Sequence, residues 1–137
     1  MGIPVVVVDD DETDRYIVQR RLTKTDDFSP VVEFTAGDEF LAAYFNGYRP
    51  PEDADQPCVV LMDINMPRMN GFETVVEMQR RMAEGRGPET VVVMMVTSSN
   101  NPADREQAKQ HALIKGYMTK PIDETGVNQI RELCSAG

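Results

Sequence analysis

The chain has 137 residues, of which 14 are Lys or Arg and 23 are Asp or Glu, so its formal net charge at pH 7 is −9. This length fits one domain, and the acidity disfavours nucleic acid and anionic membrane surfaces as partners, because phosphate groups bind to clustered Lys and Arg. The longest apolar runs are far shorter than the roughly 20 residues of a membrane-spanning helix. We therefore expect one domain over residues 1–137, without a second DNA-binding or enzymatic domain.

The N-terminal segment lacks the pattern of a signal peptide, which favours the cytoplasm as the compartment. Two cysteines, Cys58 and Cys134, lie in apolar segments and are predicted to be reduced residues of the interior rather than a disulfide or a metal pair.

Short apolar runs alternate with segments of helical periodicity along the chain. The predicted strands, in chain order, are Val5–Val8, Val31–Phe34, Cys58–Met62, Val91–Val96 and Leu113–Met118. The first, third and fourth runs are apolar almost throughout, which is typical of strands that are buried on both faces of a sheet.

Four of the intervening segments repeat apolar residues at helical spacing. In chain order, their apolar stripes are Ile17, Val18 and Leu22; Phe40, Leu41, Tyr44 and Phe45; Phe72, Val75, Val76 and Met82; and Val127, Ile130, Leu133 and Cys134. Each stripe predicts a helix that packs against the sheet.

The segment Pro102–Ala112 is the weakest predicted helix. Asn101 is a suitable cap and Pro102 suits the first helical position, but the apolar face consists of Ala103, Ala108 and Ala112. We expect a loosely anchored helix.

Alternation of strands and helices, repeated about five times, predicts an α/β fold with a doubly wound parallel sheet, helices on both faces and right-handed crossovers. In such sheets ligands bind beyond the carboxyl ends of the strands, where the strand order reverses.

Polar residues close four of the five predicted strands. Asp9 and Asp10 follow the first strand, Asp63 the third, Thr97 the fourth and Lys120 the fifth. Because parallel strands place their carboxyl ends at one edge, these side chains are expected to converge in one crevice.

Clustered carboxylates repel one another unless a cation joins them, and oxygen ligands without His or Cys favour Mg²⁺. Lys120 can pair with Asp63 in the empty site and with phosphate oxygens in the filled site, and Thr97 offers a hydroxyl donor. A carboxylate can also act as a nucleophile. These residue types therefore predict phosphoryl transfer onto or through a carboxylate.

Each residue also has a plainer interpretation. The segment Asp9–Asp11 could be a solvated turn that caps a helix, and Asp63 could initiate a turn. Lys120 could be a surface lysine, and Thr97 could simply end a strand. Their convergence on one edge, in complementary chemistry, favours a site.

Four segments together resemble the motifs of two-component response-regulator receiver domains. They are Val6–Asp10, Met62–Gly71, Val96–Ser98 and Gly116–Pro121. The resemblance covers nearly the whole chain and implies a flavodoxin-like fold with five parallel strands in the order 2-1-3-4-5.

The resemblance also implies roles for individual residues. Asp63 would be the phospho-acceptor, and Asp9 and Asp10 would hold Mg²⁺ together with Asp63 and the backbone carbonyl of Asn65.

Three further roles follow from the same resemblance. Thr97 would place its hydroxyl on the phosphoryl group, Lys120 would bind a phosphoryl oxygen, and Tyr117 would be an aromatic switch residue that turns inward as Thr97 moves. A cis peptide bond is expected between Lys120 and Pro121.

The implied function is that of a stand-alone response regulator, not an enzyme beyond its own phosphorylation and dephosphorylation. A histidine kinase or a histidine phosphotransfer protein would donate the phosphoryl group to Asp63, and the altered surface would bind a downstream protein that the sequence does not identify. The protein would be a monomer or a weak, phosphorylation-dependent dimer. A phosphorelay intermediate or a phosphate sink are alternatives within this interpretation.

Two other classes remain as alternatives. The segment Asp9–Thr13 fits the D-x-D-x-T pattern of haloacid-dehalogenase-like phosphatases, in which Asp9 would be the nucleophile, although Asp63 would then have no role. A receiver that cannot be phosphorylated and acts only as a binding scaffold is the other alternative, although every residue that the chemistry needs is present.

Overall fold

The computed structural model describes residues 2–45, 58–86, 88, 91–98 and 101–135, with the backbone alone described for Cys58 and Ser135. The strands within these ranges are β1 (Val5–Val8), β2 (Val32–Phe34), β3 (Cys58–Asp63), β4 (Val91–Thr97) and β5 (Ile114–Thr119). The helices there are α1 (Glu12–Thr23), α2 (Gly37–Tyr44), α3 (Gly71–Ala83), α4 (Pro102–Lys109) and α5 (Glu124–Ser135).

The strands form one parallel sheet in the order β2-β1-β3-β4-β5, as predicted. The chain first runs outward from β1 to β2 and then returns to the other side of β1 to form β3. The strand order therefore reverses between β1 and β3, and Val8 pairs with Met62 at that point. This register puts the residues after Val8 and Met62 next to each other.

Alternation along the strands divides the interior into two cores. Val5 and Val7 face one core, to which α1 and α5 contribute, and Val6 and Val8 face the other, which is built mainly with α2 and α3. Because successive strand residues point to opposite faces, an all-apolar β1 requires a cover on both sides. The predicted burial of β1, β3 and β4 on both faces is confirmed for the side chains described, except that Val92 of β4 is half-buried.

The helix stripe predicted for α3 is wrong at one position. Val76 is 51% exposed, whereas Val75 and Met78 are fully buried. Residues 72, 75, 78 and 82 lie three or four positions apart on one face, and residue 76 lies about 100° from residue 75, which turns it to solvent.

The predicted helix at Pro102–Ala112 is shorter in the structure, since α4 ends at Lys109. Asn101 caps it by accepting a hydrogen bond from the amide of Ala103, as predicted. Of its expected apolar face, Ala108 is buried, but Ala103 and the following Ala112 are exposed. Ala108 is the one side chain of α4 that is buried, which agrees with the predicted loose anchoring.

Cys134 is half-buried with a free thiol, and burial raises its pKa to about 11. Its predicted position in the interior is met only in part, and the prediction that both cysteines are reduced stays a prediction, since the side chain of Cys58 lies outside the described atoms. None of the helices in the described part of the chain is long and apolar enough to span a membrane.

Candidate functional site

Three carboxylates meet where the strand order reverses. Asp9 follows β1 and is 3% exposed, Asp63 ends β3 and is 5% exposed, and Asp10 is exposed beside them. Each offers an oxygen, and these oxygens lie within 4.8 Å of one another. The predicted convergence of Asp9, Asp10 and Asp63 is therefore confirmed.

The neighbouring aspartates before α1 have different hydrogen-bonding roles. Asp11 accepts hydrogen bonds from the amides of Thr13 and Asp14, at 2.8 and 3.1 Å, and so caps α1. Asp9 accepts a hydrogen bond of 2.9 Å from the amide of Asp11, which fixes its carboxylate at the end of β1. The plainer interpretation of the segment as a cap holds for Asp11 but not for Asp9.

A close approach of α3 to β3 explains the glycine in the segment after Asp63. A Cβ atom on Gly71 would lie 2.4 Å from the carbonyl oxygen of Asp63, too close for any side chain. The amide of Gly71 donates a hydrogen bond of 2.8 Å to the carbonyl of Ile64. Gly71 therefore lets the first turn of α3 pack directly against the strand that carries Asp63.

Lys120 lies among the carboxylates. Its Nζ atom is 2.7 Å from Oδ2 of Asp9, 2.7 Å from Oδ2 of Asp14 and 3.4 Å from Oδ1 of Asp63. The expected pairing with Asp63 is present, but it is the longest of the three. The backbone amide of Lys120 donates a hydrogen bond of 2.7 Å to the carbonyl of Thr97, and the Lys120–Pro121 peptide bond is cis, as expected.

Asp14 is the residue of this site that the sequence analysis missed. It is the third residue of α1 after the Asp11 cap. Because Cα–Cβ bonds in a helix tilt toward its N-terminus, an acid at that position points back toward the preceding strand end. An acid three residues after the cap of the helix that follows β1 is the signal that could have identified it.

The electrostatics of the cluster show a shortage of positive charge. Burial, with the nearby charge of Asp9, raises the pKa of Asp63 to about 7. Burial also raises the pKa of Asp9, although its hydrogen bond from Lys120 acts in the opposite direction. For Lys120 burial acts to lower the pKa, but the hydrogen bonds to Asp14 and Asp9 outweigh it, so the pKa lies above its ordinary value.

The donor set of this cluster suits a small divalent cation. Carboxylate oxygens are hard ligands of the kind that Mg²⁺ prefers, and a dication would offset the burial and the nearby charge of Asp9 that raise the pKa of Asp63. Asn65 lies two residues after Asp63 in the loop between β3 and α3, and the role of its carbonyl as a ligand stays a prediction.

Thr97 and Tyr117 lie on the neighbouring strands of the same edge. Thr97 ends β4 and is fully buried, and it pairs in register with Thr119 of β5. Tyr117 is half-buried in β5, and the guanidinium carbon of Arg105 in α4 lies 4.5 Å from the centre of its ring. The switch roles of Thr97 and Tyr117 stay predictions.

The phosphatase alternative finds no support in the site. Its pattern requires Asp11 as a partner of Asp9, but the exposed carboxylate of Asp11 is bound to the first amides of α1. Asp63, which that alternative leaves without a role, is one of the three carboxylates of the cluster.

Comparisons with known proteins agree with this geometry. The chain is 28% identical over 120 residues to Protein PilH of Pseudomonas aeruginosa, covering 88% of this chain and 87% of that protein. A two-component response regulator from Cytophaga hutchinsonii has a similar structure, with a TM-score of 0.79, 21% identity and full coverage of both chains.

The receiver domain of the histidine kinase CKI1 from Arabidopsis thaliana, in complex with Mg²⁺, is also similar, with a TM-score of 0.75 and 23% identity over 96% of this chain and 91% of that one. The family described as the response regulator receiver domain matches residues 5–131. This family is a signalling domain of two-component systems and not a classical enzyme. The chain belongs to the response regulator receiver domain family.

Proposed function

We propose that this receiver accepts a phosphoryl group on Asp63 in a Mg²⁺-dependent reaction. The observation that carries the proposal is the position of the Asp63 carboxylate, which is buried at the reversal point with Lys120 at 3.4 Å and oxygens of Asp9 and Asp10 within 4.8 Å. A carboxylate oxygen beside the Lys120 ammonium, with two further carboxylates as ligands for a divalent cation, supports Asp63 as the nucleophile.

The reaction class is phosphoryl transfer from a phosphohistidine. A carboxylate oxygen of Asp63 forms a bond to phosphorus while the bond between phosphorus and the donor nitrogen breaks, and the histidine leaves with the electron pair. A histidine kinase or a histidine phosphotransfer protein is the class of donor that the family implies. Lys120 then donates to a phosphoryl oxygen, and Thr97 offers its hydroxyl to another.

Mg²⁺ is the proposed cofactor, held by Asp9, Asp10 and Asp63 with the carbonyl of Asn65. Receiver domains bind Mg²⁺ at an acidic pocket, and the related CKI1 receiver is described in complex with this ion. When bound, the ion would supply positive charge to the carboxylates and to the incoming phosphoryl oxygens.

The proposed output is a change of the surface formed by α4 and β5. Contacts of the phosphoryl group with Thr97 and Lys120 would favour an inward position of Tyr117, which lies under Arg105 in the present structure. A shift of the two states from 1:99 to 99:1 requires roughly 5.5 kcal/mol of differential interaction. A protein that recognises this surface is the proposed downstream partner.

The test is phosphorylation of Asp63→Asn by acetyl phosphate and Mg²⁺, followed by intact-mass measurement. The wild-type protein should gain one phosphoryl group, EDTA should prevent the gain, and Asp63→Asn should gain none. Asp26→Asn, which removes an exposed carboxylate away from the site, is the matched control and should behave as wild type.

Continued modification of Asp63→Asn would overturn the assignment, and a phosphoryl group mapped to Asp9 would revive the phosphatase alternative. The stand-alone arrangement, the monomeric or weakly dimeric state and the cytoplasmic location stay predictions. A phosphotransfer profile against kinases and phosphotransfer proteins distinguishes a regulator with its own output from a relay intermediate or a phosphate sink.

A further inference from the structure

Asp14 makes one of the two shortest contacts of the lysine in the site. Its Oδ2 atom lies 2.7 Å from Nζ of Lys120, the same distance as that to Asp9 and shorter than the 3.4 Å to Asp63. A charge-assisted hydrogen bond between an ammonium and a carboxylate has a length of about 2.7–2.9 Å. Asp14 therefore holds Lys120 more closely than the proposed phospho-acceptor does.

Asp14 stands apart from the candidate magnesium ligands. The oxygens that converge within 4.8 Å belong to Asp9, Asp10 and Asp63, and Asp14 is not among them. Its side chain is 27% exposed and approaches Lys120 from α1, whereas Lys120 itself is 11% exposed. Asp14 thus connects α1 to the end of β5 through Lys120, and the same lysine also contacts Asp9 and Asp63 of the candidate magnesium site.

Lys120 has three N–H donors to distribute. In the structure two short contacts engage Asp9 and Asp14, and the third contact, to Asp63, is 3.4 Å long, so a phosphoryl group on Asp63 has to draw the ammonium closer against the pull of Asp14. The carboxylate of Asp14 competes directly with the phosphoryl oxygens because both are anionic acceptors.

We propose that Asp14 is a positioning residue that competes with the phosphoryl group on Asp63 for Lys120 and so weakens the phosphorylated state. This inference rests on the proposed function, because it assumes that Asp63 carries the phosphoryl group. Its consequence is that loss of the Asp14 charge makes the site bind a phosphoryl group more tightly.

The experiment uses beryllofluoride, an anionic phosphoryl analogue that attaches to carboxylate oxygens, with Mg²⁺ and detection by ¹⁹F NMR. Asp14→Asn should tighten beryllofluoride binding by about tenfold, since a neutral amide is a weaker acceptor for the ammonium than a carboxylate. The substitution leaves the cap of α1 in place, because Asp14 takes part in it through its backbone amide.

Two further variants separate this role from a structural one. Glu12→Gln removes the same charge from the same turn at an exposed position and should change binding by less than about twofold. Asp14→Glu keeps a carboxylate within reach of Lys120 and should restore binding close to that of wild type.

A double-mutant cycle tests whether Asp14 acts through Lys120. In a Lys120→Gln background, Asp14→Asn should change beryllofluoride binding by less than about twofold, with folding checked by thermal melts. A tenfold effect that persists without the lysine would overturn the positioning role, as would an unchanged affinity of Asp14→Asn in the otherwise native protein.

The failure of the proposed function has a different signature. In that case the wild-type protein would not bind beryllofluoride, or it would bind equally well after Asp63→Asn. If beryllofluoride binding requires Asp63 but has the same affinity in Asp14→Asn as in wild type, only the positioning role of Asp14 is wrong.

Discussion

Asp63 and Tyr117 lie toward the same carboxyl edge of the sheet, but their surroundings differ. Asp63 ends a central strand between two strands that are almost fully buried, and it is 5% exposed. Tyr117 belongs to the outer strand β5 and is half-buried, with Arg105 over its ring. The helix that carries Arg105 is α4, in which Ala108 is the buried residue.

The proposed switch needs one part of the molecule that is fixed and another that can move, and these two regions differ in that respect. The carboxylates need fixed positions, and packing of β1, β3 and β4 on both faces supplies them. In the proposed switch, the surface that responds to phosphorylation needs to move, and a helix with one small buried side chain costs little to displace. The molecule thus combines a rigid chemical centre with a weakly held edge.

The largest expected effect tests the rigid centre. Leu61 is 1% exposed in the middle of β3, and Leu61→Ala should lower the free energy of unfolding by about 2–5 kcal/mol because it leaves a cavity between packed layers. Denaturant unfolding measures the loss. The matched control is Val76→Ala, at a position that is 51% exposed, where the change should be within about 0.5 kcal/mol.

A loss at Leu61 no larger than that at Val76 would contradict the contrast, because the central strand would then tolerate a cavity as readily as a surface position does.

The second effect concerns the loss of stability caused by the ionised, buried carboxylate of Asp63. The pKa of Asp63 is about 7 in the folded protein against an ordinary 3.8, so the folded state binds the proton more tightly than the unfolded chain. Stability should therefore fall as pH rises from about 4 to about 7 in Mg²⁺-free buffer. Asp63→Asn removes this cost and should exceed the free energy of unfolding of wild type at pH 8 by up to about 4 kcal/mol.

Thermal and denaturant unfolding across pH check this expectation. The difference in the free energy of unfolding between Asp63→Asn and wild type should decrease toward pH 4. Mg²⁺ at pH 8 should also decrease this difference, because it stabilises wild type. Asp26→Asn serves again as the control, with a small and pH-independent difference. An advantage of Asp63→Asn that stays constant from pH 4 to pH 8 would show that ionisation of the buried Asp63 carboxyl group is not its cause.

The smallest effect tests the weakly held edge. Arg105→Ala removes the guanidinium from the ring of Tyr117 and should cost about 0.5–1 kcal/mol of stability, the usual range for an exposed cation–π contact. It should also shift the ring resonances of Tyr117 in NMR spectra. Lys109→Ala, on the same helix with a 73% exposed side chain, should leave those resonances in place.

Unchanged Tyr117 resonances in Arg105→Ala would mean that α4 does not hold the aromatic ring. The claim that the edge formed by α4 and β5 depends on this contact would then be wrong.

Much of this architecture could be predicted from local sequence. Continuous β-branched runs are compatible with few structures other than buried strands, and the residues that close them are read directly from the chain. For this reason the positions of Asp9, Asp63, Thr97 and Lys120 at one edge were predictable, and the strand order followed from the resemblance of their motifs to receiver domains.

Boundaries were less predictable, because they depend on neighbours. β3 and β4 extend one residue further than expected, to Asp63 and Thr97, since the register with adjacent strands continues that far. The predicted burial of Val76 was wrong because the packing of α3 centres its buried face on residues 72, 75 and 78, and residue 76 lies about 100° from residue 75 on the solvent side.

The sequence by itself determined the strands, their polar ends and the family, because these depend on local patterns of burial and turn chemistry. The tertiary structure decided which partners those ends have. Lys120 and Asp14 are 106 positions apart, and their contact depends on how α1 lies against the sheet and how its first turn is rotated. Arg105 meets Tyr117 for the same kind of reason, since side-chain partners across elements follow from packing and not from sequence spacing.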